Sequence, residues 1–371
     1  MAIARNDTSI LGRWWWTVDH LTLFAVLILI VFGVILSLSA SPSVAERIGA
    51  DSLHFVRKQA TLSIPAIAII IGVSLLDARS IRRLAVGTLV FSIILLIAAL
   101  IFGAEIKGAT RWVTIGGVTI QPSEFAKPAF AVVAAWMFSA RRLGEDIPGY
   151  AISCGLYILI LSLFLLQPDV GQAVILTAIW FTQFFLAGLP LLLVVGLGLL
   201  GILGFIAAYN IFPHVESRVD RFLDPASGDS YQVNRAMEAF MNGGVMGRGP
   251  GEGSVKDVLP DGHADFILAV AGEEFGLIVC LIIVGIYAFV VLRGFTRVLN
   301  NNNLFIVLAA TGLLVQFGLQ ALVNMASTLS LIPTKGMTLP FISYGGSSLI
   351  ALALGIGMVL ALTRTRAGGG S

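Results

Sequence analysis

The chain has 371 residues, of which 57% are hydrophobic and only 12% charged, and its mean hydropathy of +0.94 lies far outside the range of water-soluble domains. A formal net charge of +2 is too small to point to nucleic acid or an acidic partner, so the placement of charges matters more than their sum. Cys154 and Cys280 both lie in apolar runs with no CxxC or Cys/His cluster nearby, which reads as two buried thiols and argues against a disulfide framework or a cysteine metal site.

A helix needs about 20 apolar residues to cross the hydrocarbon core, where every backbone polar group must be satisfied internally. Ten stretches fit, near 20–40, 58–76, 84–103, 122–140, 150–167, 170–187, 189–210, 266–292, 303–326 and 340–363. The expected fold is therefore an all-α polytopic membrane protein. Residues 1–19 form a short N-terminal segment, 20–366 a single ten-helix domain, and 367–371 a linker or truncation scar. The first apolar run is long enough to stay in the bilayer, so no cleavable signal peptide is read. Between 150 and 210 only QPDVG and AGLP interrupt the hydropathy, and both read as Pro/Gly turns.

Short-loop cations set orientation. With the N-terminus cytoplasmic, that side receives Arg5, Arg13, Arg79, Arg82, Arg83, Arg141, Arg142, Arg293, Arg297, Arg364 and Arg366, against mainly Arg47, Lys107, Arg111 and Lys335 outside. Both termini are thus expected in the cytoplasm. The one long loop, 211–265 between helices 7 and 8, then faces outward. Within it YQVNRAMEAFMNGG, 231–244, has the mixed spacing of an amphipathic interfacial helix.

Polar residues at membrane depth mark candidate sites. In KGATRWVTIGGVTIQPSEFAKPAF, 107–130, Pro122 suits a first helical turn, and Glu124 and Lys127 share a face at i, i+3. That pair is either a structural tie between helices or the lining of a polar cavity that positions Arg111, whose planar guanidinium suits phosphate oxygens. Trp112 is equally a belt residue at the interface or a stacking platform. In QPDVGQ, 167–172, Asp169 has helix N-capping as its simplest role. Gln316, Gln320 and Asn324 form a polar stripe every four residues on the ninth span, as interhelical glue or as a path lining. TLSLIPTKGMTLPFISYGGSS, 328–348, offers Lys335 to an anionic group and small residues for close approach.

LPDGHADFILAVAGEEFG, 259–276, holds Asp261, His263 and Asp265 ahead of an apolar run, with Glu273 and Glu274 about two turns further on. At 100° per residue, 273 stands some 80° from 265 and 274 nearly opposite it, so the four acids do not form one site. Partial desolvation at the membrane boundary raises a carboxylate's proton affinity and suits a base at Asp265, whereas a solvated cap is the plain alternative. Glu274 reads as a brace on a neighbouring helix.

These motifs, in this order and across nearly the whole chain, resemble the SEDS family of polytopic membrane proteins (FtsW, RodA, SpoVE). RWWWTVDHLTLF, SASPSVAERIG and NMASTLSLIPTKGMTLPFISYGGSSLI look most like the FtsW branch. The resemblance implies a peptidoglycan glycosyltransferase polymerising lipid II outside the cytoplasmic membrane, at the division septum. The implied partners are an FtsI-type class B penicillin-binding protein and other divisome proteins. It places the essential acid on Asp265. Where the family reads E-x-H-T-D, this chain has Asp261 and Ala264 in place of Glu and Thr, which leaves the aspartate intact and puts the neighbouring contacts in doubt. The site implied is Asp265 as general base, with Arg111, Trp112, Lys335, Lys127, Glu124 and His263 toward substrate and Glu274, Asp169 and Asp261 in support. No cofactor or nucleotide motif is present, and a divalent cation is compatible with pyrophosphate chemistry. A lipid II flippase, a RodA-type elongation polymerase and a pure scaffold are the competing readings.

Overall fold

The computed structural model describes residues 9–103, 110–188, 190–224, 231–333 and 335–365. In chain order these hold α1 (Ile10–Thr17), α2 (His20–Arg47), α3 (His54–Ser74), α4 (Ala78–Phe102), the strands β1 (Val113–Ile115) and β2 (Val118–Ile120), α5 (Pro122–Arg142), α6 (Gly149–Leu166) and α7 (Val170–Leu186). They continue with α8 (Leu191–Ile211), α9 (Pro213–Leu223), α10 (Tyr231–Gly243), α11 (Ile267–Leu299), α12 (Leu304–Thr328) and α13 (Gly346–Leu362). The chain is an all-α polytopic membrane protein.

A helix occupies each of the ten apolar stretches, and among the described residues α2, α3, α4, α6, α11 and α12 are each long and apolar enough by themselves to cross a membrane. Three of the other helices differ. α7 and α13 have 17 residues each, and α5 carries the Glu124–Lys127 pair and small residues instead of a greasy surface. α5 compensates by burial: it packs against α4, α6, α7, α12 and α13 and forms the axis of the bundle. The last helix begins at Gly346 rather than near 340, because Phe341 has a positive φ of 64° and Gly345 is extended, neither of which continues a helix.

Lys107 and the tail 367–371 lie outside the described residues. The hairpin was not foreseen. Val113 pairs with Ile120 and Ile115 with Val118 around Gly116–Gly117, both with positive φ (58° and 81°), as a two-residue turn of the primed type requires. VTIGGVTI, two β-branched runs about a glycine pair, carried that signal.

The long segment between α8 and α11 is mostly ordered where described. α10 forms over 231–243, as the amphipathic spacing predicted, and packs along α11. α11 itself is broken at Gly276 (φ 77°, ψ −178°), and the backbone groups freed there are satisfied by the chain leaving α10. Leu277 N donates to Gly244 O at 3.0 Å, and Arg248 N and Gly249 N donate to Glu273 O and Glu274 O at 2.9 and 3.0 Å. At membrane depth such a break is tolerable only with these substitutes.

At the opposite end of the bundle, Asp19 is almost fully buried and receives Arg293 Nε and Nη2 at 2.8 to 2.9 Å, with Arg297 at 3.6 Å. This ties α2 to α11 where the basic loops gather.

Candidate active site

Three segments distant in sequence meet at the N-terminal ends of α7 and α11: the approach to the hairpin, the QPDVGQ turn and the loop before α13. Lys335 Nζ donates to Asp169 Oδ1 at 2.7 Å, and Arg111 Nε stands 3.9 Å from Asp169 Oδ2. Arg111 also donates to the carbonyls of Gln167 (3.2 Å) and Pro168, which fixes its guanidinium against the turn. Asp169 is only 1% exposed. Burial alone would push its carboxyl up, but the Lys335 and Arg111 charges outweigh it and hold it below the ordinary carboxylate value.

The N-cap expectation for Asp169 is corrected here. The residue sits at the N-cap position of α7, but its side chain makes no capping hydrogen bond, because Lys335 claims it. To reach it the Lys335 stem passes directly over Gly171, where a β-carbon would stand 2.0 Å from Lys335 Cε.

Asp265 follows from the same loop. Gly336 is packed against its carboxylate so closely that a β-carbon there would be 2.8 Å from Oδ2. Its backbone is fixed from both sides: Asn324 Nδ2 donates to Asp265 O at 3.0 Å, and Asp265 N donates to Asp261 O at 3.0 Å. Asp261 has φ of 54° and gathers the amide of Ala264 as well, so its role here is to shape the turn that delivers Asp265. Asp265 and the Asp169–Lys335–Arg111 group thus share the 335–336 loop.

His263 packs against Phe55 with the rings tilted by 38° and their centroids 4.3 Å apart, and lies near Tyr344, whose amide donates to His263 O at 3.0 Å. Burial lowers its pKa below the ordinary 6.5 despite the opposing pull of Asp261. Trp112 is half-buried, with its carbonyl beside Gly103 at the end of α4.

Glu124 and Lys127 do not open on this surface. Lys127 is fully buried, its Nζ 3.0 Å from Glu124 Oε2 and 3.2 Å from Gln320 Oε1, while Glu124 Oε1 accepts from Gln172 Nε2 at 2.6 Å. Gln320 Nε2 continues the chain to Thr338 and Ser348, joining α5, α7, α12 and α13. Gln172 and Thr338 in this network were not picked out from the sequence, although Gln172 stands in QPDVGQ, and Ser348 was read there only as a small residue for close approach, not as a hydrogen-bond partner. Asn324 of the polar stripe also binds Met337 O at 2.6 Å, while Gln316 Oε1 is buried without a partner among the described residues.

Glu274 braces something other than the neighbouring helix expected. Its Oε1 accepts from Gly251 N at 3.1 Å and from the Lys256 ammonium, so it holds the loop before Asp265. Glu273 does more of the same, with four donors on its carboxylate. Among the described residues no group of three or more His, Cys, Asp or Glu gathers to hold a metal ion.

The chain is similar, at 46% identity over 99% of its length and 94% of the relative's, to a probable peptidoglycan glycosyltransferase FtsW of Caulobacter vibrioides. It is 34% identical to the protein so named of Trichlorobacter lovleyi, over 92% of each chain. Among solved structures it is similar to a chain of a peptidoglycan synthase complex that coordinates polymerisation and crosslinking (TM-score 0.76, 28% identity, 94% of this chain and 98% of that one). It is also similar to the rod shape determining protein RodA of Thermus thermophilus (TM-score 0.69, 27% identity, 94% and 97% covered). The family model FTSW_RODA_SPOVE, cell cycle protein, matches residues 19–368, nearly the whole of the sequence, and this chain belongs to the FtsW/RodA/SpoVE family.

Proposed function

We propose that the chain is a peptidoglycan glycosyltransferase that polymerises lipid II at the outer face of the cytoplasmic membrane, with Asp265 as general base. The single observation that carries this is the shared 335–336 loop, which sets the Asp265 carboxylate against Gly336 and the preceding residue, Lys335, on Asp169 beside Arg111. A base and a pair of cations are what the reaction needs. Asp265 takes the proton from the 4-hydroxyl of the acceptor GlcNAc as that oxygen forms its bond to the anomeric carbon of the donor MurNAc. The bond from that carbon to the diphosphate breaks with inversion, and undecaprenyl diphosphate leaves with the electron pair. Lys335 and Arg111 face the charge that develops on it, held in advance by Asp169 so that little reorganisation is needed. His263, neutral in its aromatic seat, shapes the wall beside the base. Both substrates are membrane-anchored, which lowers the entropic cost of their encounter.

The buried Gln172–Glu124–Lys127–Gln320 chain supports the helical frame and does not touch substrate in this reading. Flippase activity would need that polar chain to open, and Lys127 is sealed. The relatives named above support a role in division and a crosslinking partner of the class B penicillin-binding type, with both termini cytoplasmic as the basic loops indicate.

The test uses purified protein and lipid II. Asp265→Asn is expected to abolish glycan strands while the variant stays folded and still binds its partner. Full polymerisation by that variant removes the base assignment, and lipid II translocation in liposomes that is independent of Asp265 favours the flippase.

A further inference from the structure

Glu273 lies about two turns beyond Asp265 and is fully buried. Oε1 accepts from Asn242 Nδ2 at 2.7 Å, Ser254 N at 2.9 Å and Val255 N at 2.8 Å, and Oε2 accepts from Lys256 N at 2.8 Å. Gly253 leaves room for it, since a β-carbon there would stand 2.9 Å from Glu273 Cδ. One carboxylate therefore binds three consecutive amides of a loop that precedes it in sequence. The intervening chain becomes a closed ring with Asp265 near its middle.

That ring has other fastenings. Arg47 Nη2 donates to the carbonyls of Asp257 (2.7 Å) and Leu259 (3.2 Å), and Ser343 Oγ donates to Ala264 O at 2.5 Å. From residue 267 onward the segment is helix. The 254–256 end has no regular structure of its own; Glu273 and the Lys256–Glu274 pair hydrogen-bond it to α11, buried Val255 packs into the core, and the Arg248, Gly249 and Gly251 amides hold the chain just ahead of it to Glu273 and Glu274.

We infer that Glu273 is a positioning residue for the transfer reaction: by closing the 254–273 ring it sets where the Asp265 carboxylate stands against Gly336 and Lys335. The inference rests on Asp265 being the base. The buried Val255 and Lys256 amides need an acceptor in any case. Closure adds a catalytic consequence, because displacement of a base by about 1 Å can cost about 10²-fold in rate. Glutamine has the same shape, but its amide nitrogen would confront donors where an oxygen accepted before, so at least one contact is lost.

The experiment compares full-length wild type with Glu273→Gln and with Val255→Pro, which removes one donor amide while leaving the acid in place. Lipid II polymerisation is read as kcat and KM, alongside folding and protease cleavage within 248–257. Both variants are expected to lose at least about tenfold in kcat with KM within about twofold, and to be cleaved faster in that segment. Wild-type kcat in folded Glu273→Gln overturns the inference, and so does lost kcat with the segment as protected as in wild type. If Glu273→Gln fails to fold, Val255→Pro decides by the same two readouts. An active Asp265→Asn instead removes the base assignment, whereas an inactive Asp265→Asn beside a fully active Glu273→Gln removes this inference alone.

Discussion

Gly336 lies against Asp265 with no room for a side chain between them, a β-carbon at 336 falling 2.8 Å from Oδ2. Gly336→Ala should therefore push the carboxylate out of place while leaving the helical frame untouched. The expected outcome is a loss of about 10²-fold in polymerisation rate, the usual consequence of a displacement of about 1 Å at a reacting group, with an unchanged thermal transition. Steady-state polymerisation of lipid II beside a melting curve checks both halves.

Gly171 serves Lys335 in the same way. Gly171→Ala would meet Lys335 Cε at 2.0 Å and so detach the ammonium from Asp169. Since Lys335 is assigned to the leaving diphosphate, kcat should fall about tenfold or more, comparable with removing one charge-stabilising donor. Lys335→Ala is expected to give the same defect, and the double variant no further loss. Additive losses would place the two residues on separate tasks.

Lys127 separates structure from chemistry. It is fully buried between Glu124 and Gln320. Lys127→Ala leaves the Glu124 charge without its cation and should cost about 3 to 5 kcal/mol of stability. Gln320→Ala removes only amide contacts, which between membrane helices average about 0.6 kcal/mol each. The protein that survives Lys127→Ala should retain its activity per folded molecule. Thermal unfolding in detergent together with specific activity gives the comparison.

His263 gives a pH signature. Burial holds its folded pKa below the ordinary 6.5, so the unfolded chain binds the extra proton first. Its contribution to stability is complete above about 6.5 and is lost as pH falls through that value toward the lower folded one. Thermal midpoints measured from pH 8 to 5 should decline at the acid end, and His263→Asn should flatten that part of the decline. An identical slope in the variant would mean that other groups carry it.

The helix positions and the identities of the acids were legible in the chain. Hydropathy placed a helix in each of ten stretches, the amphipathic spacing of 231–244 became α10, and Pro122 opened α5 as its restricted φ suggests. The i, i+3 spacing of Glu124 and Lys127 became an ion pair because helix geometry alone puts them on one face. Roles were harder to read. Asp169 looked like a cap, since any aspartate before a helix does, and Lys335, 166 positions later, turned out to hold it. Glu274 looked like an interhelical brace and instead fastens Lys256.

By itself, then, the sequence determined what depends on neighbours along the chain: which segments enter a membrane, where glycine pairs turn it, and which charges are too costly to leave there without a purpose. Tertiary structure alone decided which of those charges meet. Gly171 and Gly336 matter because Lys335 and Asp265 arrive from elsewhere in the chain, and Glu273 closes a ring because packing brings the 254–256 amides to its carboxylate. Hydropathy and helical periodicity are local quantities, whereas a carboxylate's partner is set by packing across the whole bundle.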